Sequence, residues 1–88
     1  MVIDYWASWC RPCKMMKPVL DRLAIHFKGR IRFGTVDVER HRSLAEKYHV
    51  MSIPSLIIFE HGRAHERVTG YYSFSALNHF LVKKLREV

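Results

Sequence analysis

The segment WCRPC, residues 9–13, is the main evidence in this sequence for its fold and its chemistry. It holds the only two cysteines of the 88-residue chain, three positions apart. An apolar, β-prone run over 2–7 precedes it and predicts a buried strand. Apolar residues at helical spacing follow over 14–27. The cysteine pair therefore lies where a strand ends and a helix begins, and Pro12 suits the first turn of that helix because its missing N–H has no helical partner there.

Length and composition restrict the class of protein. Eighty-eight residues allow one domain, which we assign to 1–88. No apolar run approaches the roughly 18 residues of a membrane span, and no secretory leader is visible, so we expect a cytoplasmic protein with no membrane partner. The net charge of +7 is spread along the chain. No recognition motif accompanies it, so we expect no nucleic-acid partner.

The rest of the chain alternates between strand and helix patterns. Strands are predicted over 2–7, 31–38, 56–59 and 63–68, and helices over 14–28, 42–48 and 74–87. The strand–helix–strand order implies a right-handed crossover between two parallel strands. The turn signal His61-Gly62 makes the last two strands an antiparallel hairpin. Together these elements predict an α/β fold with a mixed four-stranded sheet flanked by three helices.

Local signals mark the limits of the helices. Pro18 should kink the first helix near Lys14, and Gly29 should stop it. Ser73 is the predicted N-cap of the last helix. The residues expected to face inward are Leu44, Ala45 and Tyr48 in the short helix, and Phe74, Leu77, Phe80, Leu81 and Leu85 in the last one.

These features together resemble the thioredoxin family. The resemblance is carried by residues 4–14, Pro18, 36–38, Ile53-Pro54 with the strand that follows, Gly62 and Gly70. It covers essentially the whole chain and implies a thioredoxin-like fold that lacks the first strand and helix of the family. The chain is then a naturally short member or a fragment of a longer one. The strand at 31–38 becomes an exposed edge, which predicts pairing with another chain in a dimer.

The resemblance implies a protein-disulfide reductase that needs no cofactor beyond a redox-active Cys10–Cys13 disulfide. Its partners would be disulfide-containing proteins and a thioredoxin reductase that restores the dithiol. Two alternatives stay open: a non-catalytic binding module with this fold, and a thiol oxidase or isomerase.

The two cysteines have different predicted roles, because exchange needs an attacking thiolate and a second thiol that resolves the mixed disulfide. Cys10, nearer the helix start and the surface, is the predicted attacker, and Cys13, more buried, the resolving thiol. The helix dipole and the charge of Arg11 favour the thiolate, so we assign redox tuning to Arg11 and Pro12. A zinc half-site is the competing interpretation; zinc usually has four ligands and no suitably spaced set exists, so we expect no metal.

Asp4 is the most informative polar residue, because a bare carboxylate among apolar neighbours is costly. The family resemblance makes it a base that takes the proton of Cys13 through water. The family often has a lysine where this chain has Thr35, so we predict a raised pKa for Asp4. The alternative is an aspartate at an exposed strand end.

A substrate-binding rim is implied by the second half of the resemblance. The Ile53–Pro54 peptide is expected to be cis and close to the cysteines, with the Ile53 backbone pairing with an extended substrate segment. Trp9, Gly70 and Tyr71 would form an apolar rim around Cys10. Pro54 as a simple strand-start proline and Tyr71 as an ordinary surface aromatic are the alternatives.

Overall fold

The structure, a computed structural model that describes residues 1–86, has the predicted alternation of strands and helices. Its elements are β1 (Val2–Trp6), α1 (Arg11–His26), β2 (Phe33–Asp37), α2 (Arg42–Lys47), β3 (Ser55–Glu60), β4 (Arg63–Thr69) and α3 (Phe74–Arg86). The prediction of four strands and three helices in an α/β arrangement is confirmed. The predicted end of the last helix at Glu87 lies outside the described residues.

The four strands form one mixed sheet in the order β2-β1-β3-β4. β1 pairs in parallel with β2, and antiparallel with β3. β3 and β4 form the predicted antiparallel hairpin. β1 is therefore central, and Asp4 lies between Thr35 on one side and Leu56 on the other. Since β1 leads directly into the cysteine segment, the centre of the sheet positions the site.

The limits of α1 differ from the prediction by a few residues at both ends. Cys10 is the N-cap and Arg11 is the first residue of the helix, so Pro12 lies in the first turn as expected. It ends at His26, and Gly29, with a φ of +85°, lies in the turn that follows instead of at the helix end. Pro18 lies inside α1, and the kink near Lys14 stays a prediction.

The main core lies between one face of the sheet and the helices α1 and α3. Its buried members are Val2, Met16, Val19, Leu20, Leu23, Phe27, Leu56, Leu77 and Leu81. The stripe of apolar residues predicted for α3 does face this core, with Leu77 and Leu81 buried and Phe74, Phe80 and Leu85 half-buried. Packing of α1 on the sheet therefore fixes where the start of that helix, and with it the cysteine pair, must lie.

The short helix and the start of α3 give one correction and one confirmation. Leu44 is exposed, not inward as predicted, because α2 has six residues and buries Ala45 alone.

Ser73 caps α3: its Oγ accepts a hydrogen bond from the Ala76 N–H at 3.2 Å. A side-chain cap of this kind stabilises a helix by about 1 kcal/mol.

Candidate active site

The cysteine pair forms a disulfide at the start of α1. Cys10 and Cys13 are bonded to each other, with their Cα atoms 5.2 Å apart. Cys10 is the N-cap, and its Sγ accepts a hydrogen bond from the Cys13 N–H at 3.3 Å. An N–H group of the first turn and the positive end of the helix dipole thus both act on Cys10 Sγ. After reduction, this geometry stabilises negative charge on Cys10.

The expected difference in burial between the two cysteine residues is not present. Cys10 and Cys13 are each only 5% exposed in the disulfide form. Cys10 is covered because the residues before and across from it pack together, with Ala7 fully buried and Trp6 and Ile53 against the same cluster. Cys10 therefore differs from Cys13 by its position at the helix terminus and not by its exposure. At that position its Sγ accepts a hydrogen bond from a backbone N–H.

A second loop reaches the disulfide from the other half of the chain. The Ile53–Pro54 peptide bond is cis, as predicted. The Ile53 carbonyl oxygen lies 3.8 Å from Cys10 Sγ, although 43 positions separate the two residues. The Gly70 N–H donates to the Pro54 carbonyl at 2.8 Å, so the end of β4 adjoins this loop. The structure therefore brings Ile53, Pro54 and Gly70 together beside Cys10.

Large apolar side chains on these loops are exposed. Trp9, which precedes Cys10, is 67% exposed, and Tyr71, which follows Gly70, is also exposed. Met51 is 90% exposed and stands two residues before Ile53. Sequence reasoning missed Met51 as a member of this group; its place just before the Ile53-Pro54 pair was the available signal. Exposed apolar side chains on loops that adjoin a reactive group are typical of a protein-binding surface.

Asp4 is buried next to the site without a partner for one of its oxygens. The residue is 6% exposed, and within residues 1–86 its Oδ1 has no hydrogen-bond partner. Desolvation by burial raises the pKa of Asp4 from 3.8 to about 6. The predicted direction of the pKa shift is confirmed, and the alternative of an exposed strand end is wrong.

Asp4 and Cys13 line the same cavity. It has a volume of about 340 Å³, and Asp4, Cys13 and Thr35 are among the residues that line it. Thr35, the strand neighbour of Asp4, brings no charge to it. Lys14 and Lys17 also line the cavity. A cavity of this size with polar groups in its wall has room for water, which could carry a proton between Cys13 and Asp4.

Positive charge surrounds the start of α1. Arg11 and Lys14 are exposed, and the first turn of α1 contains no acidic residue. Lys17 pairs with Asp21 at 3.3 Å, but both side chains are largely exposed, so this ion pair contributes little to stability. Arg11 and Lys14 therefore place two positive charges near the cysteine pair.

The described residues contain neither a cluster of metal ligands nor a helix that could cross a membrane. In residues 1–86, no three His, Cys, Asp or Glu side chains are gathered as metal ligands would be. None of the helices α1 to α3 combines the length and the apolar composition that crossing a bilayer requires.

Comparison with known proteins agrees with this geometry. Residues 1–83 match the family model described as Thioredoxin. Thioredoxins from two Staphylococcus aureus strains, Mu50 / ATCC 700699 and MW2, are each 43% identical to the chain over 84 residues. Each alignment covers 96% of this chain and 81% of the relative.

Proposed function

The chain belongs to the thioredoxin family and is a thiol–disulfide oxidoreductase that reduces protein disulfides by dithiol exchange, and we propose how its residues share this reaction. The observation that carries the proposal is the Cys10–Cys13 disulfide at the start of α1. The reduced pair would donate two electrons to a substrate disulfide. It would itself be oxidised to the disulfide that the structure contains.

Cys10 is the attacking thiolate in this proposal. Its sulfur bonds to one sulfur of the substrate, and the substrate S–S bond breaks and leaves one substrate thiolate, which takes up a proton. Cys13 then attacks Cys10 Sγ, which forms the internal disulfide and releases the second substrate thiolate. The hydrogen bond from the Cys13 N–H to Cys10 Sγ supports Cys10 as the first attacker, because it stabilises negative charge on Cys10 and not on Cys13.

Asp4 is the proposed base in the second step. The thiol of Cys13 must lose its proton before it can attack, and a carboxylate with a pKa of about 6 is ionised at pH 7 and more basic than a solvated aspartate. Asp4 and Cys13 line the same cavity, so a water molecule there could relay the proton. The carboxyl group returns the proton to solvent when the reaction ends.

The substrate segment is proposed to bind across Ile53. An extended peptide that carries the target disulfide would pair with the Ile53 backbone and reach Cys10 Sγ, which lies 3.8 Å from the Ile53 carbonyl. Trp9 and Gly70 would border this segment, and Arg11 and Pro12 would tune the cysteine pair. Main-chain pairing is tolerant of side chains, so many disulfide-containing proteins would serve as substrates.

Regeneration, location and assembly complete the proposal. A thioredoxin reductase would return the chain to the dithiol form, and the whole of 1–88 would act as one thioredoxin domain in the cytoplasm. β2 is an edge of the sheet, so a second chain could pair along residues 31–38 and form a dimer.

Reduction of insulin disulfides, followed by turbidity with dithiothreitol as electron donor, tests the activity. We expect the chain to accelerate the reaction and both Cys10→Ser and Cys13→Ser to abolish the acceleration. With a labelled substrate disulfide, Cys13→Ser should accumulate a mixed disulfide at Cys10, and Cys10→Ser should accumulate little. A mixed disulfide trapped on Cys13 in the Cys10→Ser variant would reverse the assigned roles, and a wild-type chain without turnover would favour the binding-module alternative.

A further inference from the structure

Arg67 contacts a turn that is distant from it in the sequence. The residue is exposed on β4, and its Nη1 donates a hydrogen bond to the His49 carbonyl oxygen at 3.0 Å. Its Nη2 donates to the neighbouring carbonyl oxygen of Tyr48. A planar guanidinium with several N–H donors suits two adjacent acceptors, which a lysine cannot serve in the same geometry. One side chain of β4 thus holds the turn in which α2 ends.

This turn follows a very short helix and contains an unfavourable backbone conformation. α2 has six residues, and its N-cap, His41, makes no side-chain capping hydrogen bond. His49 has a φ of +53°, in the left-handed region that residues other than glycine seldom adopt. The Val50 N–H does close the turn on the Ala45 carbonyl at 2.9 Å. A helix this short depends on tertiary contacts, and Arg67 supplies two of them.

The turn leads directly into the segment that adjoins the disulfide. Residues 50–53 follow His49 and belong to no helix or strand. At the far end of this segment, the Ser55 hydroxyl donates to the Ser52 carbonyl at 2.5 Å. Between these two anchors lies Ile53, with its carbonyl oxygen 3.8 Å from Cys10 Sγ. Arg67 and Ser55 thus each hold one end of the segment that carries Ile53, and Ile53 itself packs against the cysteine cluster.

We propose that Arg67 is a positioning residue for protein substrates: its two hydrogen bonds hold residues 50–53 where the Ile53 backbone can pair with a substrate strand beside Cys10. This inference rests on the proposed function, in which Ile53 binds the substrate. The inference predicts different behaviour for protein disulfides and for small disulfides. A protein disulfide that must pair with Ile53 needs the turn in place, whereas a small disulfide that reaches Cys10 Sγ without strand pairing does not.

The test compares Arg67→Gln with Arg63→Gln. Arg63 is the matched control, because it is an exposed arginine at the other end of β4 whose side chain makes no hydrogen bond within the described residues, and both variants lose one positive charge. Each pre-reduced chain is mixed with insulin and with 2,2′-dithiodipyridine, a small neutral disulfide. Rate constants come from stopped-flow tryptophan fluorescence for insulin and from thiopyridone absorbance for the small disulfide.

We expect Arg67→Gln to react about three- to tenfold more slowly with insulin, because a displaced binding segment misaligns the substrate disulfide. Its rate with the small disulfide and its reduction potential should match the wild type, and Arg63→Gln should match the wild type with both substrates. Arg67→Lys should recover part of the insulin rate, because an ammonium group can donate to one of the two carbonyl groups.

Several results would overturn the positioning role. An equal loss of rate with both substrates would place the effect on the cysteines or on overall stability, and an unchanged insulin rate in Arg67→Gln would remove the effect altogether. If Arg67→Gln does not fold, which circular dichroism reports, then Arg67→Lys decides: a wild-type insulin rate contradicts the inference. A wild-type chain that fails to reduce insulin defeats the proposed function itself, and the small-disulfide rate shows whether its thiols are still reactive.

Discussion

Arg11 is the residue that we expect to tune the redox potential of the disulfide. It is exposed and directly follows Cys10, in a helix turn without acidic residues. Its charge favours the thiolate and therefore the reduced form, so the chain should be a weaker reductant with Arg11 than with an uncharged residue there. A tenfold change in the exchange equilibrium corresponds to about 30 mV for this two-electron couple.

Replacing Arg11 by Gly should lower the reduction potential by about 10–30 mV, less than a buried charge would cause because solvent screens an exposed one. Equilibration with a glutathione or dithiothreitol redox buffer measures this. Arg11→Gln separates charge from backbone effects, and Lys28→Gln, just beyond the other end of α1, is the control for net charge. A potential that is unchanged or higher in Arg11→Gly would contradict the assignment.

Asp4 couples the stability of the fold to pH. Its pKa rises from 3.8 to about 6 on folding because burial penalises the charged form. Between these two values the folded chain binds more protons than the unfolded chain, so stability falls as the pH rises through this window and stays lower above it. This rise in pKa corresponds to about 3 kcal/mol of lost stability. That figure is an upper bound, because Asp4 lines a cavity of about 340 Å³ that has room for water.

In Asp4→Asn, the free energy of unfolding should become nearly independent of pH between about 4 and 6, since the group that titrates in that window is gone. Urea unfolding at several pH values measures it. Asp21→Asn, an exposed carboxylate on α1, is the control and should keep the wild-type slope. The same slope in wild type and Asp4→Asn, or a carboxyl titration near pH 4 by NMR, would show that Asp4 is not desolvated.

Asp4→Asn should also slow the resolution of the mixed disulfide if Asp4 is the base. A loss of tenfold or more at pH 7 is expected, since a positioned base contributes about 100-fold or more. The loss should shrink toward pH 9, where hydroxide in solution can take the proton in place of the carboxylate. Single-turnover release of a labelled substrate measures this step. A deficit that is the same at pH 7 and pH 9 would count against a role in proton transfer.

At the scale of elements, the packing of α3 on α1 and the sheet holds the domain together. Leu81 of α3 is 3% exposed and lies in the main core, whereas Ile25 of α1 is 76% exposed. Removing side-chain carbons at a buried site costs transfer free energy and leaves a cavity, whereas at an exposed site it costs neither.

Leu81→Ala should therefore lower the free energy of unfolding by about 2–4 kcal/mol, and Ile25→Ala should change it by less than about 0.5 kcal/mol. Urea unfolding at 15 °C compares the two. Neither Leu81 in α3 nor Ile25 near the end of α1 is close in sequence to the cysteine pair at the start of α1. The reduction potential should therefore stay the same in both variants. Equal losses of stability would mean that the core does not lie where the structure places it.

At the scale of the whole molecule, the sheet has an open edge at β2. The Val38 N–H donates to the Trp6 carbonyl, and the Arg32 carbonyl accepts from the Val2 N–H, so even-numbered residues here bond to β1. Phe33 and Thr35 then turn their N–H and C=O groups outward by strand alternation. No strand lies beyond β2 among the described residues, and β2 itself carries no lysine or proline that would discourage pairing.

We expect a concentration-dependent dimer from this edge, because a second chain can satisfy the outward groups. Analytical ultracentrifugation from about 5 to 500 μM measures it, a range that brackets the affinity of a weak association. Thr35→Lys should shift the equilibrium to monomer, because it places like charges along the paired edge; Ser75→Lys, exposed on α3, is the control for net charge. A monomer at every concentration would show that the edge is not used.

Local signals were enough to predict the order of the elements and the redox chemistry of the cysteine pair. A buried-strand pattern, two cysteines with a proline between them, and a helical spacing are neighbours in the chain, and so are the hairpin turn at 61–62 and the Ser73 cap. Each is decided by backbone geometry within a few residues. The family resemblance added the cis bond before Pro54 and its closeness to the cysteines, which no local pattern predicts.

Other contacts between distant parts of the chain became visible only in the folded structure. Ile53, 43 positions from Cys10, packs against the cysteine cluster. The hydrogen bonds of Arg67 to Tyr48 and His49 cross 18 to 19 positions. In the sequence, Arg67 is only an outward residue of a strand. Which side chain reaches which carbonyl depends on the twist and register of β4 against α2, and close packing sets these quantities only when the whole sheet has formed.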